Sequence, residues 1–166
     1  MNYHAIPVYV RHSVRRDFPA ILAIESASMP EPWSEVELST FLRQQSAIGI
    51  VAEAETSQGT QVVGYALYVM HVREIELIAV AVTSSFRRAS IGRQLIAYIE
   101  GKLRPGKRET ILADVSERLT EAHLFLRGCH FTATGVQRRM FGTDDGYRFG
   151  LKMAVAAEES IHGAIL

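Results

Sequence analysis

The chain carries a single cysteine, Cys129, among its 166 residues. An internal disulfide is therefore excluded, and a lone thiol fits a reducing, cytoplasmic setting. One cysteine and six scattered histidines also leave no ligand set for structural zinc. There is no apolar run of the roughly 18 residues that a membrane helix needs. The opening segment, with His4 and Pro7, lacks the basic-then-apolar layout of a secretory leader. Charge of neither sign is in excess, since Lys+Arg and Asp+Glu both total 18. Generic nucleic-acid binders are usually basic, so neither nucleic acid nor membrane is expected as a partner. Internal repeats and low-complexity linkers are missing as well. What is present is an ordinary globular composition, 48% hydrophobic and 22% charged. It suits one domain over 1–166, with a core of about 8–155 and an uninformative tail, 156–166.

Periodicity places the elements. Tyr9 to Val14 reads as a first strand, and Asp17 as the cap of a helix with Phe18, Ile21, Leu22 and Ile24 on its apolar face. Pro30 and Pro32 stop that helix, because proline has no N–H and restricts the residue before it. Ser34 with Glu37 is a capping box, so a second helix starts there and buries Leu38, Phe41 and Leu42. Ile48 to Ala54 and Val62 to Met70, separated by Thr56-Ser57-Gln58-Gly59-Thr60, read as a hairpin. The run Leu77-Ile78-Ala79-Val80-Ala81-Val82 does not alternate, as in a strand covered on both faces. Ile91, Leu95, Ile99 and Leu103 form a helix stripe ended by Pro105-Gly106. Thr110 to Val115 is the next strand, and Leu119 to Arg127 the last helix, ended by Gly128. Phe131 to Val136 and Phe149 to Val155 are late strands joined around a turn at Gly142–Gly146. The order β-α-α-β-β-β-α-β-α-β-β predicts a mixed α/β (α+β) sheet with helices on both faces.

The segment with chemical content runs from Val80 to Arg93. A buried strand ends at Val82, a short polar loop follows, and a helix opens near Ile91. A helix start offers unpaired N–H groups and partial positive charge. Ala89, Ser90 and Gly92 are small enough to let those amides approach an anion, and Arg87, Arg88 and Arg93 add charge. The pattern suits a pyrophosphate. It is neither a Walker loop nor the dinucleotide fingerprint, because the Gly-Lys-Ser/Thr and the glycine triad are both missing.

These residues resemble the Gcn5-related N-acetyltransferase superfamily. Its phosphate loop reads Arg/Gln-x-x-Gly-x-Gly/Ala, and Arg87-Arg88-Ala89-Ser90-Ile91-Gly92 fits with Ser90 at the first glycine. Ile78-Ala79-Val80-Ala81-Val82 looks like the superfamily's fourth strand, whose backbone pairs with the pantetheine arm. Three further stretches resemble the ribosomal-protein alanine N-acetyltransferases of the RimI type: Pro32-Trp33-Ser34-Glu35, Gly128-Cys129-His130-Phe131, and Arg138 through Gly146. The resemblance implies a sheet of about seven strands, acetyl-CoA as cofactor, and a phosphate site made by Val80, Ala81, Val82, Arg87, Arg88, Ala89, Ser90, Ile91, Gly92 and Arg93. The implied acceptor is an amine, foremost a protein or peptide N-terminus, with Trp33 and Asp145 as substrate-side candidates.

The catalytic base implied by the RimI type falls on Asp114, where that group has glutamate. Histone-type members carry theirs at the place of Glu76, which desolvation beside Leu77 and Ile78 would suit to accepting a proton. Two other positions depart from the RimI pattern. Leu119 stands for a cofactor-contacting asparagine, and Leu126 for a tyrosine general acid. Three functions follow as expectations: a protein N-terminal or lysine acetyltransferase working by direct attack in a ternary complex, a small-molecule amine acetyltransferase, or a catalytically weak acyl-CoA sensor.

Overall fold

Strand β1 (Tyr9–His12) is followed by a single 3-10 turn, Arg15–Asp17, and then by helix α1 (Phe18–Ser28). The computed structural model describes residues 4–154, so the strand end expected at Val155 and the tail lie outside the described residues. Asp17 does not cap α1 with its side chain. Its carboxylate instead accepts from both Arg11 Nη atoms, at 2.7 and 2.9 Å, and from the Val14 N–H at 2.8 Å. A long cation next door competes better for the carboxylate than the helix amides do. Helix α2 (Glu35–Leu42) begins as expected, with Glu37 N–H donating to Ser34 Oγ at 3.2 Å and Ser34 N–H donating to Glu37 at 2.8 Å.

Strands β2 (Ala47–Thr56), β3 (Gly59–Met70) and β4 (Glu74–Val82) lead into helix α3 (Ile91–Glu100). Strand β5 (Thr110–Ser116), helix α4 (Thr120–Gly128), β6 (Thr132–Phe141) and β7 (Asp144–Lys152) complete the chain. The order in the seven-stranded sheet is β1-β2-β3-β4-β5-β7-β6. All neighbours are antiparallel except β4 and β5, which α3 connects in parallel. The late hairpin is tighter than its sequence suggests. The turn is Gly142-Thr143, Gly142 has φ 70, and Asp144 to Gly146 already belong to β7. Turn-forming residues there sit in the strand because their backbone pairs with β6 and β5.

The sheet is covered on both faces, which explains why β4 does not alternate. On one face α3 lays Ile91, Leu95, Ile96 and Ile99 against Ile75, Leu77, Ile111 and Phe149. On the other, α1 and α2 lay Ile21, Ile24, Leu38 and Phe41 against Val51, Tyr65, Leu67 and Ala81. Each such fully buried side chain contributes about 1.5–3 kcal/mol of transfer free energy. Gly64 lets α3 sit close. A Cβ on it would lie 3.3 Å from Leu95 Cδ1 and 3.2 Å from the Ala81 carbonyl.

Candidate functional site

Strands β4 and β5 pair only briefly. Their register runs from Glu74 opposite Thr110 to Leu77 opposite Ala113. Beyond that point β4 stays with β3 as far as Val82 opposite Gly64, while β5 stays with β7 as far as Ser116 opposite Gly146. The sheet therefore opens as a wedge between Ile78–Val82 and Asp114–Ser116. The divergence begins at a bulge. Leu67 pairs with Ala79 and Tyr68 with Leu77, leaving Ile78 as an extra residue on β4. A bulge bends its strand and increases the local twist. The inner edges of the wedge present N–H and C=O groups that must be satisfied from outside the sheet. Val80, Ala81 and Val82 lie on that edge.

The loop that closes the wedge has the geometry of an anion cradle. Arg88 (φ 61) and Ser90 (φ 62) both adopt the left-handed conformation on either side of Ala89. Alternation of this kind turns successive amides into one concavity. Ser90 is the N-cap of α3 and its side chain makes no capping bond. Ser90 thus keeps the backbone conformation glycine would favour, at a cost of about 1–2 kcal/mol for a residue with a Cβ. The N-terminal segment braces the loop from behind. Ile6 N–H donates to the Ala89 carbonyl at 3.1 Å, and Gln94 on α3 donates to the Ile6 carbonyl at 2.7 Å and accepts from Val8 N–H at 3.2 Å. Gly92 is bare where Phe125 of α4 abuts it, since a Cβ there would meet Phe125 Cε2 at 2.6 Å.

The three arginines differ. Arg87 Nε donates to the Val82 carbonyl at 3.1 Å and its Nη2 to Ser28 Oγ at 3.2 Å, so it ties the loop to β4 and α1. Arg93 runs toward the end of α4, its Nη2 3.3 Å from where a Gly128 Cβ would stand. There its charge suits the helix C-terminus. Neither Arg88 nor Arg93 makes a side-chain hydrogen bond among the described residues, and Arg88 is the one that stands in the loop itself.

The two carboxylate candidates share one face of the sheet, because Glu76 is paired with Leu112 and Asp114 lies two residues further along β5. Their surroundings differ. Asp114 is gripped on both oxygens by Arg148, with Nε at 2.8 Å and Nη2 at 2.7 Å, and its side chain is 14% exposed. Glu76 is not desolvated as the sequence suggested. Its side chain is 43% exposed, and one oxygen, Oε2, lies 2.8 Å from His71 Nε2. The β3–β4 turn brings His71 to this position, where the His71 carbonyl also accepts from Arg108 at 2.7 Å. Arg148 feels Asp114, Glu74 and Glu76 together, and hydrogen bonding to Asp114 is the main cause of its raised pKa. The face is thus an acidic cluster with one built-in cation.

On the same side of the sheet, Trp33 stands edge-on to Phe41 at 5.3 Å, at the entry to α2. Asp145 is engaged in the hairpin. Its carboxylate accepts from Arg139 N–H at 2.9 Å, and its N–H donates to Glu117 at 3.0 Å. Arg118 bonds Asp144 at 2.8 Å, fastening the hairpin to the loop after β5. Leu126 is 2% exposed in the core and carries no proton to donate. Leu119 packs against the same core cluster. Sequence reasoning missed Arg148 and His71, whose roles depend on register and turn geometry. It also missed Glu25, buried at 3% exposure with Oε2 unpartnered among the described residues. A signal for Glu25 existed, since it falls four residues after Ile21 on the apolar face of α1. Among the described residues no group of three His, Cys, Asp or Glu could hold a metal ion, and no helix is long and apolar enough to cross a membrane.

The model of the acetyltransferase (GNAT) family matches residues 18–131. A comparison with curated proteins found no match. Among solved structures, the chain resembles the ribosomal-protein-S18-alanine N-acetyltransferase from Escherichia coli at 20% identity and a TM-score of 0.74, covering 92% of this chain and 98% of that one. Arabidopsis thaliana NAA60 in complex with acetyl-CoA superposes with a TM-score of 0.74 at 10% identity, covering 88% and 98%. Nourseothricin acetyltransferase does so with a TM-score of 0.68 at 18% identity, covering 89% and 99%. The wedge, the braced cradle and the family match agree: the chain belongs to the GNAT family and is an acetyl-CoA-dependent N-acetyltransferase, moving an acetyl group to an amine.

Proposed function

We propose that the chain acetylates a protein or peptide N-terminal amine by direct attack in a ternary complex, with Glu76 as the base. The carrying observation is the contrast on the acidic face. Arg148 occupies both oxygens of Asp114, whereas His71 engages one oxygen of the half-exposed Glu76. A base needs a lone pair open to a proton, directly or through one water. Glu76 retains one; Asp114 serves to position Arg148.

Bound in the wedge, acetyl-CoA supplies an acetyl group activated as a thioester. Its diphosphate suits the amides ahead of Ile91, with Ala89, Ser90, Gly92 and Arg88 around it. The edge of Val80, Ala81 and Val82 suits its amide-bearing arm. A backbone N–H on the splayed part of β4 would stabilise the negative charge that develops on the thioester carbonyl. The acidic face of Glu74, Glu76 and Asp114 draws in the ammonium form of the acceptor, and Glu76 removes its proton. No side-chain acid at Leu126 is required, because a thiol with a pKa of roughly 8.5 leaves readily as thiolate.

The protein-directed reading draws support from the E. coli neighbour, whose name specifies a ribosomal-protein alanine acceptor. Thiol release with an alanine-start peptide, with a polyamine panel and without acceptor tests it. Peptide turnover above the other two is expected, and turnover of polyamines alone would replace the protein acceptor with a small one. Glu76→Gln is expected to lower kcat about a hundredfold and Asp114→Asn less than tenfold. The reverse order would move the base to Asp114.

A further inference from the structure

The loop before α3 holds a shape that its own residues resist. Arg88 (φ 61) and Ser90 (φ 62) both carry a Cβ in the left-handed region, where that atom crowds the backbone. Strained conformations of this kind persist only where the surroundings over-determine them. A bound diphosphate would supply that restraint. Before it binds, the restraint has to come from the chain itself.

One carbonyl shows where it comes from. Ala89 stands between the two left-handed residues, and its carbonyl accepts from Ile6 N–H at 3.1 Å. Ile6 is held in turn by Gln94, on the first turn of α3. Gln94 Nε2 donates to the Ile6 carbonyl at 2.7 Å, and its Oε1 accepts from Val8 N–H at 3.2 Å. The two bonds use both ends of one amide, donor against acceptor and acceptor against donor. Neither leucine nor glutamate makes that pair, since the first has no polar end and the second, when ionised, no donor.

Pro7, between the two clamped residues, has no N–H to leave unpaired and restricts Ile6 to an extended backbone. Ile6 and Val8 also pack, partly buried, against the core under α3, so apolar contact seats the segment and Gln94 fixes its register. The path from Gln94 through Ile6 to Ala89 ties the cradle to a segment 86 and 88 residues away from Gln94 along the chain.

We infer that Gln94 and residues 4–8 form a strut that sets the cradle in its anion-binding shape before the cofactor arrives, which makes Gln94 a positioning residue for coenzyme A. The inference rests on the reading of the cradle as the diphosphate site. Its physical content is a population. Affinity falls in proportion to the fraction of molecules whose loop is ready. Without the strut the strain at Arg88 and Ser90 is free to relax, and the ready fraction drops.

Two measurements on the full chain test it: calorimetric titration with coenzyme A, and amide hydrogen exchange of the loop 87–92 with and without coenzyme A. Gln94→Leu keeps most of the side-chain volume and removes both bonds. Its free loop should exchange about tenfold faster, and coenzyme A should bind about tenfold more weakly. At saturating coenzyme A the loop should exchange as in wild type, because the diphosphate then restrains it. Ile6→Pro removes the N–H that meets Ala89 and should give the same result from the other end of the strut. The double variant should bind no more weakly than the weaker single, because both act through one path. Were Gln94→Leu too unstable to purify, Ile6→Pro alone decides. Unchanged affinity or unchanged exchange of the free loop in either variant overturns the strut, and so do losses that simply add in the double variant. Failure of the underlying reading looks different. Coenzyme A that binds wild type without slowing exchange of the loop removes the diphosphate from the cradle, and the strut with it. A loop that coenzyme A protects in wild type, while both variants bind as tightly, keeps the cradle and removes only the strut.

Discussion

Arg11 and Arg148 each hold an aspartate in a two-pronged grip, but the first grip is sealed and the second is open. Arg11 reaches Asp17 at 2.7 and 2.9 Å and Glu53 at 2.6 Å, with its own side chain 18% exposed and that of Asp17 5% exposed. Those bonds stitch β1 to β2 and to the turn before α1. Arg148 reaches Asp114 at 2.8 and 2.7 Å, yet it is 49% exposed and has Glu74 and Glu76 as further neighbours. The same chemistry closes the fold in one place and faces solvent in the other. What separates the two is exposure, since both arginines meet more than one carboxylate.

Three experiments would break or sharpen that contrast. Asp17→Ala leaves the Arg11 charge largely buried and removes the partner of Val14 N–H. It should destabilise the chain by about 3 kcal/mol, or roughly 6–12 °C in Tm, while kcat/KM stays within twofold in thiol-release assays. Arg148→Gln should do the opposite. Its exposed pair contributes little to stability, so Tm should move by less than about 2 °C. In thiol-release assays kcat/KM should fall about tenfold, because the cation that holds Asp114 is gone from the acidic face. An unchanged rate with a fallen Tm would make Arg148 a second structural stitch. The smallest effect is in the acid titration of stability. The Arg11 hydrogen bond holds Asp17 below its ordinary pKa of 3.8. The stability it contributes is therefore present above that value and is lost as pH falls through the lowered folded pKa. Melting curves of wild type and Asp17→Asn should converge in that acid range and separate above it.

Much of the fold was legible because local rules and tertiary packing agree. The Ser34–Glu37 box starts α2, the stripe from Ile91 to Ile99 makes α3, and the unalternating run before Val82 is a strand covered by helices on both sides. Two expectations yielded to longer-range contacts. Asp17 was drawn away from the helix start by Arg11, and the glycine-rich turn shrank to Gly142-Thr143 because Asp145 and Gly146 are held in register by Glu117 and β5. The small residues ahead of Ile91 were readable, and Ser90 keeps a glycine's backbone there. The division of labour among the arginines was not readable, because Ser28 and Gly128, which Arg87 and Arg93 approach, are distant in sequence. The two candidate carboxylates were named from sequence, but their proposed ranking required Arg148, 34 residues from Asp114 along the chain. Glu25 was passed over because a single acid on an apolar stripe carries no motif.

The wedge has a consequence for handling the protein. A gap inside a sheet creates two extra strand margins, and unpaired margins invite strangers to add strands and seed aggregates. On the proposed binding mode, a cofactor along Val80–Val82 would shield one of those margins. Stock solutions kept with coenzyme A should then stay monodisperse longer than stocks without it.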